Sequence, residues 1–148
     1  MGGHIYYYAV PYEPDVNKAL QDLRKREFEA GRYNPVVPFL QFDFDASATP
    51  SPGKQHSSIE AAMEAADADG TRSILDIERV GKTPDFGVAV ALSPDRLTEL
   101  YGTDKPTRQM LKSNKDFFED IERGHAIYFL LYEGAKPKEI VFAGVSYD

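Results

Sequence analysis

The sequence predicts a single α+β domain, in which helices pack on a sheet of about five mainly antiparallel strands. Three observations predict it. Two pairs of β-like runs, 72–80 with 86–92 and 125–133 with 139–147, are each joined by a short turn. Another β-like run opens the chain. The helical segments come in pairs between these runs, giving the order β-α-α-β-β-α-α-β-β. A length of 148 residues fits one unit, 1–148, with a long irregular Pro-rich loop at 34–56.

Residues 4–12, HIYYYAVPY, are dense in β-forming aromatics and read as the first strand, with Tyr6, Tyr8 and Tyr12 on one face and Tyr7 on the other. Pro14 and Asp15 then open a helix, because proline suits the first turn and acids suit its positive end. The helix is expected to stop near Gly31 or Arg32. At about 100° per residue, Val16, Ala19, Leu20, Leu23 and Ala30 share a face. Glu27 falls in the same arc and Phe28 outside it, so Glu27 is expected to be partly buried.

The stretch 34–56 carries Pro35, Pro38, Pro50 and Pro52, and a connection of this length is uncommon inside a compact domain. Within it, 39–45 alternates apolar and polar residues and reads as a short edge strand, while 46–54 reads as mobile. A second helix is expected from Ser57 or Ser58, where Ser57 and Glu60 have capping-box spacing, and is expected to end at Asp69-Gly70. In 86–92 both faces are apolar, which predicts a central strand. Ser93-Pro94-Asp95 starts a short helix that ends at Tyr101-Gly102. A longer helix is then expected from Asp104–Pro106 to Gly124, with Met110, Leu111, Phe117, Phe118 and Ile121 as its apolar stripe. The last two strands surround a five-residue turn and form a hairpin.

Composition excludes several classes of function. The absence of cysteine removes disulfides, thiol nucleophiles and thiolate zinc sites. With 17 Lys+Arg against 24 Asp+Glu the net charge is −7, which disfavours nucleic acid as a partner. No run approaches about 20 apolar residues, so no membrane helix is expected, and the N-terminus has no signal-like pattern. The cytoplasm is the expected compartment.

Asp76 and Glu78 are the leading candidates for chemistry. On a strand, residues i and i+2 point to one face about 6.8 Å apart. Such a pair can work as an acid/base couple whose pKa values diverge by repulsion. His125, at a strand start, is a candidate general base beside them, and Arg72 or Arg32 is a candidate anion holder. The competing structural reading puts both acids on a solvated sheet face. Tyr6 and Tyr8 are candidates for lining a ligand groove, or equally for packing. Other motifs fail. No HExxH or HxH is present, Asp67-Ala-Asp69-Gly70 misplaces the first calcium ligand, and Gly81-Lys82-Thr83 lacks its upstream glycine. Ser57 and Ser58 follow His56 but serve as helix caps. No metal and no cofactor is expected.

The leading expectation is a small soluble intracellular binding or protein-interaction domain, non-catalytic, with a protein or small molecule as partner. Its groove is expected between the first strand, the 34–56 loop and the end of the first helix. One alternative is a hydrolase or lyase acting on a small polar substrate through Asp76 and Glu78. Another is an acidic inhibitor or immunity-type partner of a basic protein surface. Open hairpin edges make a homodimer possible.

Overall fold

The computed structural model describes residues 3–38 and 45–148. Strand β1 (Ile5–Pro11) leads into helix α1 (Val16–Ala30) and then helix α2 (Ile59–Ala66). Two strands follow, β2 (Arg79–Val80) and β3 (Val88–Ala91), then helices α3 (Pro94–Tyr101) and α4 (Arg108–Ser113). The chain closes with strands β4 (Ala126–Glu133) and β5 (Lys136–Val145). Four 3₁₀ turns, at 46–48, 67–69, 74–76 and 116–120, interrupt the expected order. The expected strand at 39–45 falls, apart from Asp45, outside the described residues.

The five strands form one sheet in the order β1-β5-β4-β3-β2. β5 pairs antiparallel with β1 and β4, whereas β3 pairs parallel with β4 and with β2. The sheet is therefore mixed, not mainly antiparallel: β5 alone runs against the other four strands. Only the last pair is a hairpin. Its loop is two residues, Gly134 and Ala135, shorter than the expected five, and Gly134 takes the positive φ of 64° that such tight turns require.

The other expected hairpin fails for a local reason. Ser73 accepts a hydrogen bond from the Leu75 N–H at 3.2 Å and caps the 3₁₀ turn over Ile74–Asp76. A side chain that serves its own backbone competes with a strand ladder. Two residues of strand survive, and they run parallel to β3 instead of folding back on it.

Local signals place α1 and α3. The Lys18 N–H donates to Asp15 Oδ1 at 3.1 Å, and Gly31 ends the helix in the left-handed conformation, φ 74°. Ser93 caps α3 with Pro94 at its first position, and Gly102 ends it. Helix α2 is capped by Ser58 bonding the Ala61 N–H, so the Ser57–Glu60 box is not used. The long helix expected up to Gly124 stops at Ser113. There Asn114 donates to the Leu100 carbonyl at 2.9 Å and accepts from the Asp116 N–H at 2.8 Å, so the chain turns instead of continuing.

Each face of the sheet has a core. Leu20 and Leu23 of α1 pack with Tyr6, Tyr8, Ile77, Ile140 and Phe142. On the opposite face Leu97 of α3, Leu111 of α4 and Phe117 pack with Tyr7, Ile127, Phe129 and Val141. Truncating one of these leucines to alanine is worth about 2–5 kcal/mol.

Side chains occupy both sheet edges. On β1 the outward Ala9 N–H donates to Asp45 Oδ2 at 2.7 Å. At the β2 edge, α1 presents a ladder of Asn17, Gln21 and Arg24. Asn17 accepts from the Val80 N–H, Gln21 donates to the Glu78 carbonyl and Arg24 donates to the Leu75 carbonyl, at 2.8–3.1 Å. Pairing of a second chain at either edge must displace these groups, which weakens the route to a homodimer expected from open edges.

Candidate functional site

Because four strands start at the same end of the sheet and β5 finishes there, residues distant in sequence meet at that end. The Gly87 N–H donates to the Gly124 carbonyl at 3.0 Å, and the Gly124 N–H to the Val145 carbonyl at 2.8 Å. Asp76, Glu78, His125 and Arg72 all lie near this end, but they do not form the expected array.

Asp76 and Glu78 do not share a strand face. The 3₁₀ turn that replaces the strand sends Asp76 inward, where the residue is 3% exposed, while Glu78 faces solvent. Thr71 donates to Asp76 Oδ1 twice, through its N–H and its hydroxyl, both at 2.8 Å. Arg72 holds a left-handed φ of 52°, a conformation unfavourable for a side chain with a Cβ, and its N–H also acts on the carboxylate. Asp76 Oδ2 is buried without a hydrogen-bond partner among the described residues. Burial pushes the Asp76 carboxyl up, and the Thr71 and Arg72 donors and the Arg24 charge oppose it.

Space around Asp76 is tight. A Cβ on Gly70, φ 71°, would stand 2.8 Å from both Asp76 Oδ2 and the Tyr147 ring. The Tyr6 hydroxyl is likewise buried and without a partner, and it is raised by burial and then by the Asp76 charge.

Above this buried acid lies an aromatic platform. Phe86 is 62% exposed and Tyr147 37%, their ring centres 5.9 Å apart, and the His125 ring stands edge-on to Phe86 at 5.3 Å. Burial raises the Tyr147 hydroxyl, followed by the charges of Asp76, Glu78 and Asp85. The carboxylate paired with His125 is Glu122, at 4.0 Å, and not Asp76.

No known family, curated protein or solved structure matches the chain. The functional reading therefore rests on this geometry.

The remaining candidates lie elsewhere or serve the fold. Arg72 bridges Asp148 at 3.0 Å and Asp69 at 3.9 Å, tying the chain end to the turn around Asp76. Tyr6 and Tyr8 are buried, so their rings pack in the core on the α1 side; Tyr8 accepts from the Ile74 N–H at 3.2 Å. Arg32 binds the buried Glu27 at 2.6 Å and the Thr49 carbonyl at 2.9 Å. At the end of α1 the Gly53 N–H donates to the Ala30 carbonyl at 2.9 Å, tying the following loop to the helix. Among the described residues no cluster of three or more His, Asp or Glu could hold a metal ion, and no helix is long and apolar enough to cross a membrane.

Sequence reasoning missed Phe86 and Tyr147. Phe86 falls in the run 86–92, both of whose faces read as covered, and Tyr147 ends the run 139–147, which reads only as a hairpin strand. The available signal was positional: Phe86 adjoins the Pro84-Asp85 turn, outside the strand that begins at Val88.

Proposed function

We propose that this domain is a non-catalytic binding module that docks a basic partner on the platform of Phe86, Tyr147 and His125. The observation that carries this reading is a large exposed aromatic, Phe86, whose ring centre lies 5.9 Å from that of the tilted Tyr147 ring, itself partly exposed and in the field of Asp76, Glu78 and Asp85. Aromatic faces attract cations, arginine above all, and Glu78 and Asp85 supply charge at the rim. A net charge of −7 steers a basic surface toward the domain from a distance.

The hydrolase or lyase reading has weaker support. Asp76 is engaged by Thr71, and His125 has a different carboxylate as its neighbour, so a base poised by an orienting acid is not assembled.

Fluorescence anisotropy with a labelled arginine-rich peptide tests the proposal. Phe86→Ala removes no charge, yet affinity is expected to fall about tenfold or more. Equal affinity in wild type and Phe86→Ala, with a purely salt-dependent signal, overturns the reading.

A further inference from the structure

Away from this platform, a cavity of about 530 Å³ opens between β1, the 45–48 turn and α4. Arg108, Lys112 and Lys115 converge on it, with Tyr7, Ala9 and Asp45 among the other lining residues. The local positive excess runs against a chain with net charge −7.

The cations are held to different degrees. Glu139 grips Arg108 through two bonds, at 2.9 and 2.6 Å, and so fixes and largely neutralises it. Lys115 is partly positioned, with Nζ 3.3 Å from the Lys112 carbonyl and 5.9 Å from the centre of the Tyr7 ring. Neither Lys112 nor Lys115 forms an ion pair with a carboxylate among the described residues. Asp45 opposes them, but its two oxygens accept from the Ala9 and Ser47 N–H groups.

Charge separates this cavity from its larger neighbour. That one, of about 670 Å³, sets Arg108 and Lys138 against Glu133 and Glu139 and has no excess of either sign.

We infer that the cavity at 530 Å³ binds a small phosphorylated molecule. Two lysines act as point charges for phosphate oxygens. Arg108, already forked onto Glu139, serves as a fixed wall, and the Leu111 and Tyr7 side chains supply apolar lining for the rest of the ligand. This inference is independent of the platform at the end of the sheet.

The test is a titration of the ¹⁵N-labelled protein with inorganic pyrophosphate, followed by amide shifts, with succinate as the carboxylate comparison. Saturable shifts at Tyr7, Ala9, Leu111 and Lys115 are expected, with weaker succinate binding. Lys112→Gln combined with Lys115→Gln is expected to lower pyrophosphate affinity about tenfold or more. Phe86→Ala is expected to leave it unchanged. The inference is overturned if shifts fail to saturate, if succinate binds as well, or if the double variant binds like wild type.

Discussion

Glu27 and Asp76 are both buried carboxylates raised by desolvation, yet their surroundings differ in kind. Glu27, 0% exposed, is gripped at Oε2 by Arg32 at 2.6 Å and Arg26 at 3.0 Å. Arg32 continues to the Thr49 carbonyl, and Arg26 to the Ser47 hydroxyl, so one acid ties the end of α1 to the following loop. Among the described residues Asp76 forms no ion pair with a guanidinium. It is held by a hydroxyl and backbone N–H groups, and it sits beneath exposed aromatics. An acid with two cationic partners fastens chain segments together. An acid without one leaves negative potential at a surface that can use it. Position in the fold, not residue type, separates the two.

Substitutions can break this contrast. Glu27→Ala is expected to have the largest effect, a loss of about 3–5 kcal/mol in urea unfolding, because Arg32 is left partly buried without its counter-charge. Gly70→Ala comes next. It places a Cβ against Asp76 Oδ2 in a left-handed residue, and a loss above about 1 kcal/mol is expected, with Tyr147 displaced in its NMR signals. Asp76→Ala is expected to cost about 1–3 kcal/mol by orphaning the Thr71 donors. Asp76→Asn keeps an acceptor for Thr71 and is expected to cost less than Asp76→Ala at neutral pH.

The sign of the pH dependence sharpens the comparison. A carboxyl raised on folding binds more protons in the native state than in the unfolded one. Stability is therefore fully present below the unfolded value, about pH 4, and falls as pH rises through the higher folded value. Asp76→Asn is expected to remove its share of that decline, while Glu27 keeps its own. Unfolding series across this range, run on wild type and Asp76→Asn, check it. A smaller effect is expected at the sheet edge. Asn17→Ala leaves the Val80 N–H open and is expected to cost about 0.5–1.5 kcal/mol, with any added self-association read by sedimentation.

What was legible in the sequence was local. Asp15 with Gly31 and Ser93-Pro94 with Gly102 delimit two helices, because caps act within one turn. Glu27 could be flagged as buried from helical periodicity alone, though its two arginine partners could not. Phe28 fell outside the expected arc yet is buried, because Tyr33 and Ala62 cover that side of α1. Strand direction was not legible. Before β2 pairs parallel with β3, Ser73 caps a 3₁₀ turn and α1 side chains hold the edge, whereas the apolar Ile74, Leu75 and Ile77 of that same stretch read as strand in the hydrophobic pattern. The site was half legible for the same reason. Asp76 was singled out from sequence, but whether it shared a face with Glu78 depended on a turn that periodicity reads as pleat.

The most direct test of the platform maps amide shifts of the whole domain during titration with an arginine-rich peptide. The shifts are expected to concentrate at Phe86, Gly87, Gly124, His125 and Tyr147, leaving the Glu27 region quiet. Shifts of equal size spread over acids remote from that end, such as Asp22 and Glu64, would show attraction to net charge alone and contradict it.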